Sequence, residues 1–269
     1  RPPQAAGGAG RGGDAGGTQG NAGAQTPAAG APPPLRGVEV IVHNLTTGRD
    51  VPLGNVADID FNRQGTLLAY TVDAASKDSN GLFVLDLSDN SVASLDNDAK
   101  RYTRLTWNDA GTGLAVLKGA DVEKMRERPN QLLVYPDVAA AMAPQGAAPV
   151  LLDPAAASGF PADWVVSDRA TLDWSDDGAR VYFGIKPQVP VQETRRRNPD
   201  TEADVDVWHT AEERIQSQQM VRAQQDQNFT YRQAFDVGRR AFITLTDDTM
   251  RDIDIALTGR WAVGRDTRG

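Results

Sequence analysis

DIDFNRQGTLLAYTVD (58–73), RLTWNDAGTGLAVLKG (104–119), TLDWSDDGARVYFGIK (171–186) and DIDIALTGRWAVGRD (252–266) are one pattern written four times. Each is a short alternating strand, a tight turn containing glycine, and a second apolar strand. Phe61, Trp107, Trp174 and Ile255 stand four residues before Gly65, Gly111, Gly178 and Gly259. The pairs Ile59 and Phe61, Leu105 and Trp107, Leu172 and Trp174, and Ile253 and Ile255 alternate with polar residues, so each pair lies on one face of a sheet. The turns Asn108-Asp109-Ala110-Gly111 and Ser175-Asp176-Asp177-Gly178 combine side chains that bond nearby backbone with a glycine free to take positive φ. Each stretch is therefore a β-hairpin.

A second kind of hairpin alternates with the first. HNLTTGRDVPL (43–53), DLSDNSVASL (86–95) and DVGRRAFITL (236–245) place Leu45, Leu87 and Val237 eight residues before Leu53, Leu95 and Leu245. QLLVYPD from Gln131 and PVLLD from Pro149 form the same hairpin opened by an Ala/Pro/Gly-rich insertion, 138–148. One hairpin of each kind makes a four-stranded antiparallel blade. Self-similar blades that bury their faces only against neighbouring blades predict an all-β fold, a β-propeller.

Complete blades are expected over 56–96, 102–153 and 170–246, close to the ~40 to 50 residues of a blade once insertions are discounted. A second-type hairpin, 38–53, stands at the start and a first-type hairpin, 252–266, at the end, so the expected fold is a partial propeller of three complete blades plus a half blade at each end. Two explanations of the half blades compete. They combine into one shared blade that closes a four-bladed ring, or the chain is cut from a longer propeller, which the missing initiating Met and the abrupt end at 266–269 favour.

Of the first 34 residues, 25 are Gly, Ala or Pro, with no aromatic and no aliphatic larger than alanine. Such a segment cannot bury enough apolar surface to offset ordering entropy. Residues 1–34 are expected to be a disordered linker or insertion loop, and 35–269 the partial propeller. The remainder has an ordinary globular balance, with 40% hydrophobic and 24% charged residues over the whole chain.

A net charge of -8 argues against a nucleic-acid partner, which wants a basic face. The one dense basic run, Arg195-Arg196-Arg197, reads as a solvated loop. No apolar stretch reaches the ~20 residues that span a bilayer, so no membrane partner is expected. With no cysteine, disulfides, thiol catalysis and cysteine-ligated zinc are excluded. His43 and His209 lie in different blades without ligand-spaced neighbours and read as capping or padding strands. No cofactor or metal is expected.

The segment 204–235 departs from the β pattern. DVDVWH reads as a strand, and AEERIQSQQMVRAQQDQ (211–227) has strong helix formers without a wide apolar stripe, so one helical insertion is expected here. Glu212 and Glu213 are the candidate substrate-binding residues: paired carboxylates presented to a substrate amine. The bland reading of the same pair is an exposed first helical turn with acids near the helix N-terminus.

The succession YTRLTWNDAGTGLAVLKG, DWSDDGARVYFGIKP and DVDVWHTAEERIQSQQMVRAQQDQNFTYRQAFDVGRRAFITL, most distinctively Trp208-His209 followed by Ile215-Gln216 and Gln218, resembles the N-terminal β-propeller of bacterial prolyl oligopeptidase-family serine peptidases. That group includes dipeptidyl peptidases and acylaminoacyl peptidases. The resemblance covers roughly 35–269. It implies a C-terminal α/β-hydrolase domain as partner, a peptide substrate, and a periplasmic or secreted setting. Its serine would sit in a G-x-S-x-G elbow, which this chain lacks, so no residue here inherits a catalytic role and the chain alone should be inactive. The blade motif is shared with non-enzymatic propellers such as TolB, which bind protein partners, and this is the alternative.

Overall fold

The computed structural model describes residues 37–191, 227–256 and 258–266. The expected disorder of 1–34 and most of the helical insertion at 211–227 lie outside the described residues; Gln227 and Asn228 are helical. No helix among the described residues is long and apolar enough to cross a membrane.

The first sheet is an antiparallel meander of β1 (Val38–His43), β2 (Asp50–Phe61), β3 (Leu67–Val72), β4 (Gly81–Asp86) and β5 (Val92–Asn97). The second blade is β6 (Arg101–Trp107), β7 (Leu114–Gly119), β8 (Asn130–Tyr135) and β9 (Val150–Leu152). A third follows from β10 (Trp164–Ser167), β11 (Asp173–Trp174), β12 (Arg180–Pro187), β13 (Tyr231–Asp236) and β14 (Ala241–Thr244). The hairpin β15 (Asp252–Ile255) and β16 (Ala262–Arg265) forms a sheet of its own.

The four glycine turns superpose in conformation. Gly65, Gly111, Gly178 and Gly259 have φ of 65°, 67°, 64° and 65°, and each donates its N–H to the carbonyl three residues back, on Asn62, Asn108, Ser175 and Ala256. Asn62 Oδ1 also accepts from the N–H groups of Thr66 and Leu67, Asn108 Oδ1 from Thr112 and Gly113, and Ser175 Oγ from Arg180. The second-type hairpins share a different loop, begun by Asn44, Asp86 or Asp236 and ended by a left-handed residue, Gly48, Asn90 or Arg240.

The core lies between sheets, as a propeller requires. From β3, Ala69 faces the second blade while Leu68 and Tyr70 face away from it. From β7, Leu114 and Val116 pack toward the first blade, and Ala115 and Leu117 toward the third. All four are fully buried, so β7 has no solvent face and reads as a nearly continuous apolar run.

The structure refines the expected blade map in three places. Hairpin 38–53 does not stand alone, because β2 runs on without a loop to become the inner strand of the first blade: its early part pairs β1, its later part β3, and Val56 faces both Val38 and Val72. Bulges on either side of Val56 let the strand coil, so Val40, Val42 and Val51 fold over Leu68 and Leu85. The third blade begins at Trp164 rather than 170, because its inner strand is interrupted between Ser167 and Asp173 and both pieces pair with β12. The insertion after β8 opens with a short helix, α1 (Val138–Met142), capped by Asp137, whose side chain accepts from the Ala140 N–H.

Candidate functional site on the loop face

Each blade exposes two ends. At the glycine-turn end, neighbouring turns are tied directly: Gln64 Nε2 donates to the Ala110 carbonyl at 2.7 Å and Asn62 Nδ2 to that of Gly111 at 3.3 Å. At the opposite end, the loops 73–80, 120–129 and 153–163 and the segment 187–191 form a face rich in charge.

A chain of ion pairs crosses three blades on this loop face. Arg101 Nε lies 3.2 Å from Asp73 Oδ2 at the end of β3, and its NH1 is 3.9 Å from Asp121. Arg128 takes up Asp121 at 2.9 Å and Asp168, beyond β10, at 2.9 Å. Arg104, in the left-handed region at φ 60° where β6 slips register against β7, donates across to the backbone carbonyl of Asp168. Exposed pairs are worth little each, but a half-buried network shares its anchors.

Beneath this chain sits Glu127, with only 2% of its side chain exposed. Arg169 Nε and Lys186 Nζ approach its two carboxylate oxygens at 3.4 Å each. Gln188 clamps its backbone in both directions, accepting from the Glu127 N–H at 3.0 Å and donating to its carbonyl at 2.6 Å. Two further backbone bonds, Arg126 N–H to Val189 and Val191 N–H to Lys124, bind loop 120–129 to the strand leaving β12. A carboxylate this buried is tolerated only because two cations face it.

Beside the network opens a cleft of about 640 Å3, rimmed by Lys100, Lys118, Gln131, Asp153, Phe160 and Trp164. Lys118 Nζ is held by Asp96 at 2.7 Å and Asp98 at 3.0 Å. Burial alone would lower its pKa, but the two carboxylates outweigh it and the ammonium titrates above its ordinary value. The same ammonium, by hydrogen bonding to it, holds the Asp98 carboxyl below the usual carboxylate range. Burial, then the hydrogen bond it donates to Asp96, pushes the Tyr102 phenol well above its ordinary value, so it remains a proton donor. Trp164 is fixed edge-on by Tyr231, ring centres 5.1 Å apart, and Phe160 packs on Phe242. The cleft offers aromatic walls, a lysine already held by two carboxylates and an aspartate, Asp153, that accepts from Gln131, a setting for binding a chain segment.

Glu212 and Glu213, the residues singled out from sequence for substrate binding, lie outside the described residues, as do His209 and the run 195–197. His43 is exposed, and its Nδ1 pairs with Asp50 across the β1–β2 ladder, a strand-padding role. Sequence reasoning passed over Glu127 and Lys118. Glu127 sits in EKMRERP, a charged run that reads as solvated surface, and nothing in its spacing marks one member as buried.

No family model matches the chain, and no curated protein matches it. Solved structures of similar fold include the β-propeller domain of the Trilobed protease from Pyrococcus furiosus, at 10% identity and a TM-score of 0.43 over 79% of this chain and 50% of that one. TolB from Acinetobacter baumannii aligns at 8% identity and a TM-score of 0.38, covering 86% of this chain and 44% of the other. Pyrococcus horikoshii acylaminoacyl peptidase aligns at 13% identity and a TM-score of 0.36, covering 60% and 25%. The chain spans half or less of the length of each of these three. Its own stacked antiparallel blades are those of a partial β-propeller.

Proposed function

We propose that the chain is the non-catalytic propeller portion of a prolyl oligopeptidase-type serine peptidase, gating and positioning peptides for an α/β-hydrolase domain. The observation that carries this reading is the loop face: a charged network bridging three blades stiffens the rim of a 640 Å3 cleft with aromatic walls. A rigid rim with a chain-sized cleft suits a filter that admits extended peptides and excludes folded proteins, which assists chemistry only when joined to a reacting site. The resemblance carried by Trp208-His209, Ile215-Gln216 and Gln218 supports the same assignment.

The test is an assay on proline- and alanine-containing chromogenic dipeptides with a serine-directed phosphonate as control. The chain alone should show no phosphonate-sensitive turnover. Joined to a hydrolase domain of this type, it should leave dipeptide turnover intact while suppressing cleavage of a folded protein substrate. Turnover by the isolated chain, or no change in size selectivity on joining, would overturn the reading.

A further inference from the structure

The cleft beside the ion-pair chain is lined entirely by residues between Lys100 and Trp164, on the second blade and the loop that leads to the third, and its charge is unbalanced. Its two lysines are answered from within: Asp96 and Asp98 hold Lys118, and Asp98 stands 3.7 Å from Lys100. Its two aspartates are not. Asp153 accepts only from neutral donors, the Gln131 amide at 3.0 Å and the Ala155 N–H at 3.1 Å. The exposed Asp163 carboxylate has no ion pair and no hydrogen bond among the described residues.

A third acceptor stands open in the same wall. Asn130 lines the cleft and is 1% exposed. Its Nδ2 is used twice, on the carbonyls of Arg128 at 3.1 Å and Val166 at 2.8 Å. Its Oδ1 accepts from no group and lies against Gly119, also in the lining, where a Cβ would come within 2.2 Å of it. A buried acceptor left open is costly and asks for a donor. Asp163 is set firmly beside the aromatic wall: it holds φ 60°, its carbonyl accepts from the Gln188 N–H at 2.8 Å, and Trp164 follows it directly. The polar groups of the cleft that lack a partner or a counter-charge are therefore acceptors, two of them anionic, next to the Phe160 and Trp164 rings.

We propose, resting on the peptide-positioning reading above, that this cleft is a specificity site for an arginine side chain of an extended peptide. The apolar stem of that side chain lies along the aromatic and proline walls while its head stays among polar groups. The planar guanidinium brings five donors to a site that offers Asp153, Asp163 and Asn130 Oδ1 as acceptors, and it stacks on an aromatic face. Lysine, a compact ammonium with three donors, fills the same site less well. A neutral side chain leaves both aspartates without a counter-charge, and an acidic one is repelled by them.

The test is fluorescence anisotropy of the whole chain with N-acetylated, C-amidated alanine–proline heptapeptides that differ only at the central residue. The arginine peptide should bind about ten-fold more tightly than its citrulline isostere, which keeps the shape and loses the charge, with lysine between them. Asp153→Asn combined with Asp163→Asn should erase that preference. The amide oxygen at 153 still accepts from the Ala155 N–H, so the melt of this variant should stay cooperative. Equal binding of the arginine and citrulline peptides, or a preference that survives the double substitution, would overturn the proposal. So would an arginine-free peptide with a free α-amine that binds as tightly, since the cation recognised would then be the terminus. These binding arms need no hydrolase domain, so the two readings fail separately. Absent arginine preference with size selectivity intact on joining removes this site alone, and arginine preference without size selectivity removes the gating reading alone.

Discussion

Trp107 reaches out of the second blade to donate its indole N–H to the main-chain carbonyl of Asp60, 3.1 Å away in the first. Trp174 repeats the contact one blade on, with the carbonyl of Thr106 at 3.4 Å. Both rings are half-buried against the cores between blades. Replacing either by phenylalanine should cost about 1 kcal/mol for the lost bond. Alanine should cost about 2 to 3 kcal/mol, below the range for a fully packed ring. Denaturant melts showing equal losses for phenylalanine and alanine would contradict the geometry.

Gly178 and Arg240 make opposite predictions from the same region of backbone space. Gly178 has φ 64°, and a Cβ there would meet nothing nearer than Asn108 Nδ2 at 3.5 Å. Gly178→Ala should therefore cost about 1 to 2 kcal/mol from conformation alone. Arg240 holds φ 55° with a side chain attached, so Arg240→Gly should raise stability by about 0.5 kcal/mol after glycine's entropy is subtracted. The check is a pair of thermal melts, with midpoints moving in opposite directions.

Removing the Glu127 carboxylate leaves Arg169 and Lys186 facing each other across a buried gap. Glu127→Ala should destabilise by about 3 to 5 kcal/mol, and Glu127→Gln by less, since the amide oxygen still accepts from one of the two cations. Arg169, with 41% of its side chain exposed, can turn to solvent, so Arg169→Ala should be milder than either. Chemical denaturation of the three variants ranks them.

The Lys118 cluster gives stability two pH limits. The Asp98 carboxyl titrates below its ordinary 3.8 in the folded chain, so its contribution is complete above that value and fades as pH falls through the folded one. Lys118 titrates above its ordinary 10.5, so its share holds below 10.5 and fades as pH rises past the folded value. Lys118→Met should lower the plateau between these limits by no more than about 1 kcal/mol. It should also flatten both flanks of a stability-against-pH curve, and an unchanged alkaline flank would count against the pairing.

Blade turns are legible in sequence because only glycine takes φ near 65° without cost, and so Gly65, Gly111, Gly178 and Gly259 announce themselves by spacing. The alternation of Ile59 with Phe61 and of Leu105 with Trp107 likewise betrays which side of a strand is covered. What alternation cannot say is which neighbour does the covering. The run of β2 from one hairpin into the next blade turns on bulges around Val56, one of them at Gly54-Asn55 where Asn55 takes φ 55°, and in sequence a Gly-Asn pair reads as a turn that ends a strand rather than as a bulge within one. The early start of the third blade at Trp164 was hidden because Asp168 to Leu172 break the strand. The loop face was least legible, since Asp73, Arg101, Asp121 and Arg128 are far apart in the chain and become a network only when blades stack.

The middle blade, with apolar side chains enclosed on both faces, makes the molecule behave as a short one-dimensional array. Each blade's free energy depends on its neighbours, as in other repeat folds. Loss of β7 strips both adjoining cores at once and takes the first and third blades with it, while β15–β16 can peel away and leave the other cores intact. Amide protons along Ala115 to Leu117 are therefore released only by global unfolding, those of β16 by local fraying, and the chain carries a gradient of protection that falls from its centre toward its last hairpin.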